Sequence, residues 1–265
     1  QRIMDDIIDL ELEKIEKIME KIESDPEGEE VKGAERHLWQ KIYKKSGQGR
    51  RTGVGITAEG DMIAAMGLRY GTEEATAFSE EVHKTVALEA YRSSVNMAKE
   101  RGAFAIYDWE REKDNPFVNR IKDADPALYE EMKQYGRRNI ACLTIAPTGT
   151  TSLMTQTTSG IEPVFLPFYV RRRKVNPNDK NVKVAVKDEV GDSFEEFYVF
   201  HHKFLTWCEV QGYDIEQVKG MTVDQINEIV AKSPYHKATS ADIDWVAKVK
   251  MQGSIQKWVD HSISV

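Results

Sequence analysis

The chain of 265 residues carries 37 Lys+Arg against 44 Asp+Glu, a net charge of −7, which argues against a protein whose main task is to coat nucleic acid and leaves room only for a local basic patch. Hydrophobic residues make up 40% and charged residues 31%, enough apolar material for a core in one large domain or two ordinary ones. No apolar run reaches the roughly 18 residues of a membrane span, no signal segment opens the chain, and two cysteines rule out a disulfide scaffold or a four-cysteine zinc site and suit a reducing cytoplasm.

Ile3, Ile7, Ile8, Ile15, Ile18, Met19 and Ile22 recur at three- and four-residue steps and predict an amphipathic helix packed on the body of the protein. Asp5, Asp6, Glu11, Glu13, Lys14, Glu16 and Lys17 cover its other face. Ser24 to Gly28 has turn chemistry, a second helix runs from about Val31 to Lys45, and Gly47 to Gly55 forms a polar loop containing Gly and Arg. A short helix over Ala58–Gly67 and a longer one over Thr72–Lys99 follow, with Ala75, Phe78, Val82, Val86, Ala90 and Val95 near one side. Pro116 and Pro126 punctuate a loop-rich connector. The apolar run Asn139–Ala146 predicts a strand buried on both faces. Further strands are predicted at Phe168–Val175 and Val182–Val186, a hairpin. Helix returns from Ser193 through Trp207 and again near Val223–Ala231 and Ala241–Lys250. Long helices with few, mostly buried strands define an α/β class. The chain opens at Gln1 inside a helical pattern and closes on a β-like run, so it reads as a piece of a longer polypeptide.

The chemistry concentrates between Arg137 and Arg173. The buried strand ends at Ala146, Pro147-Thr148-Gly149-Thr150-Thr151-Ser152 follows, and Thr151–Gln156 has the makings of a helical turn. A Gly- and hydroxyl-rich loop between a strand and a helix is an anion cradle, because unpaired N–H groups and the helix dipole point at the ligand. Gly149 lets the backbone approach a phosphate closely. No Lys stands at the Walker-A position, which argues against a P-loop NTPase. An ordinary strand–turn–helix junction would produce the same pattern. Close by, Ser159-Gly160-Ile161-Glu162-Pro163-Val164-Phe165 is a compact turn holding a carboxylate among apolar neighbours, which needs a partner or a donor. Arg137, Arg138, Arg171, Arg172, Arg173 and Lys174 flank the loop in sequence, and most read as strand-end side chains reaching water. Cys142 in a strand and Cys208 in a helix read as inert core residues. The six histidines form no i, i+4 pair with an acidic partner, so no metal site is assigned.

The block Arg-Arg-Asn-Ile-Ala-Cys-Leu-Thr-Ile-Ala-Pro-Thr-Gly-Thr-Thr-Ser at 137–152, with Ser-Gly-Ile-Glu-Pro-Val-Phe at 159–165, resembles the large catalytic chain of ribonucleotide reductases, most closely the adenosylcobalamin-dependent class II enzymes. Gly53-Val54-Gly55-Ile56-Thr57 with Asp61–Tyr70 and the tail 256–264 resemble other segments of the same family. The resemblance implies the later part of a ten-stranded α/β barrel. Residues 1–50 would be a helical segment packed on the barrel, 51–175 barrel elements with the phosphate loop, and 176–265 a hairpin and helical insertion returning to a barrel strand. It implies that Pro147, Thr148, Gly149, Thr150 and Thr151 hold the phosphates of a ribonucleoside di- or triphosphate. It also implies adenosylcobalamin as radical source, a thioredoxin-type reductant, a homodimer in the complete enzyme and reduction of ribonucleotides for DNA synthesis through a thiyl radical. The family's Asn-x-Cys-x-Glu finger does not occur in this sequence, so this segment alone is expected to be inactive and to need the preceding part of the same protein. Two alternatives stay open: a class I large chain served by a separate radical-generating subunit, and a non-catalytic or split-gene chain that completes another chain's barrel.

Overall fold

Ile8, Ile15 and Ile22 recur every seventh residue and form the buried stripe of α1 (Arg2–Ser24). Asp5, expected on the polar face, is wholly buried beside them, while Ile3 and Ile7 are exposed. The computed structural model describes residues 1–176 and 182–265, in two units. The first comprises Gln1–Ile56, Phe78–Ala146 and Gln252–Ser264, and the second Thr57–Ala77, Pro147–Met251 and Val265.

In the first unit α1 packs antiparallel on α2 (Glu29–Gly49), with Arg36 bound to Glu23 and Tyr43 to Glu16. The polar loop expected from Gly47 starts later, because α2 runs through Gly49 and stops at Arg50 in the left-handed region. Most of α4 (Glu73–Arg101) follows, burying Ala87, Ala90, Tyr91, Val95 and Met97. The connector read as loop holds three helices, α5 (Trp109–Glu112), α6 (Pro116–Ala124) and α7 (Pro126–Tyr135). Its prolines start helices instead of breaking them: each sits in the first turn, where a missing N–H costs nothing, behind a capping Asn115 or Asp125.

The run 139–146 is extended but is not a continuous strand. It pairs in parallel at single positions, Val54 with Leu143 and Ile145 with Ile263. The reason lies in its donors: the N–H groups of Cys142 and Leu143 bond the Asp260 carboxylate, each at 2.8 Å, instead of a neighbouring strand. Gly55 permits the close approach of the first two segments, since a Cβ there would stand 2.0 Å from the Thr144 carbonyl oxygen.

The second unit opens with α3 (Glu59–Ala65) and continues through α8 (Gly149–Thr155), a three-stranded antiparallel sheet and the helices after it. The sheet order is β1-β3-β2, from β1 (Phe168–Lys174), β2 (Val186–Lys187) and β3 (Ser193–Phe200). The strand expected over Val182–Val186 pairs only at its end, with β3 and not with β1, and residues 177–181 lie outside the described residues. Helix was expected from Ser193, and the structure overturns this. Aromatic residues and Val199 favour a pleated surface, and Glu195 and Glu196 stand opposite Arg173 and Arg172 and pair with them, which only a strand register allows.

Helix begins instead at α9 (His202–Val210), followed by α10 (Ile215–Lys219) and α11 (Val223–Val230), whose Thr222 and Gln225 form a capping box. α12 (Trp245–Gln256) starts later than expected, because Thr239 and Asp242 close a turn first. Phe204, Cys208, Val218, Ile226 and Ile229 form this unit's core with Ala64, Val164 and Tyr235. Val164 pairs in parallel with Thr239. Long helices and parallel pairings make the fold α/β, and no helix is long and apolar enough to cross a membrane among the described residues.

Candidate anion-binding site

Pro147 leads into Thr148, which caps α8 in the left-handed region (φ 53°, ψ 25°). A β-branched residue there is strained by about 1–3 kcal/mol. Two contacts hold it: the Gly160 N–H donates to Thr148 Oγ1 at 2.8 Å, and Thr57 Oγ1 lies 2.9 Å from the same atom. Thr57 also reaches the Thr158 carbonyl at 3.2 Å. With the Thr57 proton there, the Thr148 hydroxyl donates to Thr57, so Thr148 braces the loop with its side chain.

The first bond of the α8 ladder runs from Ser152 N–H to the Thr148 carbonyl at 2.8 Å. The N–H groups of Gly149, Thr150 and Thr151 precede it and have no intrahelical acceptor. Pro147, Gly149, Thr150 and Thr151 are exposed. A Cβ built on Gly149 meets nothing within 4 Å, so the side-chain position there is open. Chemically this is a backbone cradle with two exposed threonine hydroxyls beside it. Among the five residues expected at the site, four line the open loop and Thr148 sets its shape.

The segment behind the loop is fastened to the start of α3. Ala58 N–H and Glu59 N–H donate to the Thr158 and Gly160 carbonyls at 3.1 and 3.2 Å. Gly60 makes this approach possible, since its Cβ would stand 2.7 Å from the Glu162 carbonyl oxygen. Asp61, nearly buried, accepts the Thr158 N–H on Oδ2 at 2.8 Å, and on Oδ1 it meets Tyr235 OH at 2.9 Å and His201 Nε2 at 2.7 Å. Burial, and then the charge of Asp61 and its hydrogen bond, push the Tyr235 phenol well above its ordinary value, so it stays a donor. A cleft of about 450 Å³ opens beside Asp61, Tyr235, Lys203 and Trp207. Sequence reasoning missed this cluster because Asp61, His201 and Tyr235 are scattered along the chain, and the one available signal was an acidic residue at the start of a short apolar helix.

Arg137 and Arg138, which precede the loop in sequence, are committed elsewhere. Arg137 is buried, holds Glu112 through two bonds of 2.6 and 3.1 Å, bonds two carbonyls, and lies over the rings of Tyr91 and Phe104. Arg138 reaches Asp5 at 3.3 Å. Asn139 is saturated: its amide donates to Asp5 and to the Arg50 carbonyl, and its carbonyl oxygen accepts from Ser94 and Gln1. Burial alone would raise the Asp5 carboxyl, but Arg50 and then Arg138 outweigh it and hold the group below its ordinary value. Asp5, Asp6 and Asp9 lie close enough to hold a cation, yet each is paired with an arginine.

Both thiols are fully buried. Burial and then the charge of Asp260 push Cys142 up to about 12, and burial pushes Cys208 up to about 11, so neither is a thiolate at neutral pH.

Long helices joined by isolated parallel pairings place the chain in the α/β class. The chain belongs to the ribonucleotide reductase barrel-domain family: the family's sequence model, "Ribonucleotide reductase, barrel domain", matches residues 2–265. It is similar to the vitamin B12-dependent ribonucleoside-diphosphate reductase of Thermoplasma acidophilum, 27% identical over 228 residues, covering 85% of this chain and 25% of that protein. The protein of the same name from Mycobacterium tuberculosis H37Rv is 31% identical over 122 residues, 46% of this chain and 15% of that one. The ribonucleoside-diphosphate reductase subunit alpha of Chlamydia muridarum is 27% identical over 244 residues, 82% of this chain and 21% of that one. The chain thus spans a quarter or less of the length of these relatives.

Proposed function

We propose that this chain is the substrate-phosphate-binding part of a ribonucleotide reductase, an enzyme that converts ribonucleotides to deoxyribonucleotides by a thiyl-radical mechanism. The observation that carries the reading is the set of N–H groups of Gly149, Thr150 and Thr151, which precede the helical ladder in exposed residues. They would receive phosphate oxygens, the exposed hydroxyls of Thr150 and Thr151 would add donors, and the α8 dipole would favour the charge. Pro147 fixes the entry of the chain, and Thr148 shapes the loop. The parallel pairings at Leu143, Ile145 and Val164 support strands of a ten-stranded α/β barrel that the rest of the polypeptide completes.

The buried, protonated Cys142 and Cys208 support placing the radical cysteine and its redox partners in that remainder, so this segment alone is inactive. In the complete enzyme a thioredoxin-type reductant would supply electrons to a homodimer. Adenosylcobalamin, when bound, supplies the initiating radical, and the names of the Thermoplasma and Mycobacterium relatives support it. The side chains of this segment do not mark its site: the thiols are buried and the clustered carboxylates are paired with arginines. The Chlamydia relative, named as a subunit alpha, supports the alternative of a separate radical-generating subunit. Activity that requires added cobalamin, or that requires a second subunit, separates the two.

Gly149→Ala tests the cradle in the complete reductase polypeptide. The added methyl meets nothing within 4 Å beside the loop, and alanine is the better helix former by about 0.5–1 kcal/mol. Substrate KM is expected to rise about tenfold with no loss of stability. Thr150→Ala should raise it less. Unchanged KM in both variants overturns the reading.

A further inference from the structure

The Asp61 carboxylate serves two parts of the second unit at once. On Oδ2 it receives the Thr158 N–H, and Thr158 Oγ1 in turn accepts the Asp61 N–H at 3.3 Å. Two residues further on, Gly160 gives its N–H to Thr148 Oγ1. A short covalent and hydrogen-bonded path therefore runs from Asp61 through 158–160 to the left-handed cap of α8. On Oδ1 the same carboxylate gathers His201, at the junction of β3 and α9, and Tyr235, beyond α11. Asp61 is nearly buried, and both its oxygens are engaged by these partners. His201 keeps 14% of its side chain exposed, at the rim of the cluster.

We infer that Asp61, held in place by His201, is a positioning residue that sets the phosphate affinity of the 147–151 loop. The inference rests on the phosphate-loop reading above and deepens it, by making the strand–helix insertion that carries His201 part of the substrate site. The physical cause is directional. Asp61 pulls Thr158 N–H toward α3, which places Gly160 N–H where it can hold Thr148 in a conformation that threonine otherwise avoids. If the Thr158 bond is lost, Thr148 relaxes out of the left-handed region, and the three N–H groups behind it no longer converge. The path from Asp61 ends at the cap of α8, so the effect is expected to fall on the phosphates.

Asp61→Asn is the direct variant, because one amide face must present a donor to the Thr158 N–H or to the pair on Oδ1. His201→Ala is the milder one, and His201→Gln restores a side-chain donor that can reach Oδ1. In the complete reductase, Asp61→Asn is expected to raise KM for CDP about tenfold and His201→Ala about threefold, with His201→Gln near the parent value and kcat within about twofold throughout. Cytidine, which lacks phosphates, should bind the parent and the variants equally, as measured by its inhibition constant. A purely structural role would weaken CDP and cytidine together, and that result overturns the inference. So does an unchanged KM for CDP in His201→Ala, which decides the matter even if Asp61→Asn fails to fold. When Gly149→Ala raises KM and the Asp61 and His201 variants do not, the positioning role falls alone. When Gly149→Ala has no effect either, the phosphate-loop reading falls with it.

Discussion

Gly160 donates its backbone N–H to Thr148 Oγ1 across 2.8 Å, and this bond fixes a threonine in a backbone conformation that β-branched residues avoid. Glycine adopts the same conformation without strain, whereas valine keeps the shape of threonine and loses both hydrogen bonds. Thr148→Val is therefore expected to lower substrate affinity more than Thr148→Gly does, by about 1–2 kcal/mol of binding free energy. Competition by ribonucleoside diphosphates in the two variants measures the difference, and equal affinities would mean that the strain at this position is irrelevant to the loop.

Asn139 has every side-chain polar atom engaged and is wholly buried. Asn139→Ala leaves the Asp5 carboxylate, the Arg50 carbonyl and the Ser94 hydroxyl each short of a partner. A loss of about 3 kcal/mol follows from the cost of unsatisfied buried groups. Urea denaturation of the parent and variant checks it, and a change under about 1 kcal/mol would show that water or repacking replaces the amide.

Gly55→Ala forces a methyl to within 2.0 Å of the Thr144 carbonyl oxygen. The parallel pairing of Val54 with Leu143 must then open, at an expected cost of about 3 kcal/mol or more. Gly28→Ala, where a Cβ meets nothing, is the matched control and should cost little. Thermal unfolding of both variants distinguishes a clash from a general intolerance of alanine.

Alkaline pH should unfold the chain through its buried thiols. Unfolded cysteine titrates near 8.5, while Cys142 is pushed up to about 12 and Cys208 up to about 11, mainly by burial. Between those values the unfolded chain holds fewer protons than the folded one, so stability falls as pH rises. Tyr70, Tyr91 and Tyr235, all raised chiefly by burial, act in the same direction from about pH 10 upward. The melting temperature should therefore fall progressively above about pH 8.5. Iodoacetamide at pH 8 should modify neither thiol before denaturant is added, and rapid labelling of the native chain would contradict the burial.

Local chemistry was readable where one residue type has one physical consequence. The three- and four-residue spacing of isoleucines located α1, and the loop–helix punctuation around Pro147–Ser152 located the start of α8. It misled where a residue has two uses. Pro116 and Pro126 break helices in their interior but open them at the first turn, and only the side-chain caps from Asn115 and Asp125 show which applies. The stretch 193–200 carries a pattern that either helix or strand could use, and pairing with β1 decided it.

By itself, then, the sequence determined the family, the α/β class, the helices with strong periodicity and the loop that opens α8, because each depends on neighbours within a few positions. The tertiary structure alone decided that Asp5 is buried against arginines, that Arg137 and Arg138 brace the fold, and that Asp61, His201 and Tyr235 meet. The physical reason is that hydrogen bonds and ion pairs act over about 3–4 Å in space and take no account of distance along the chain.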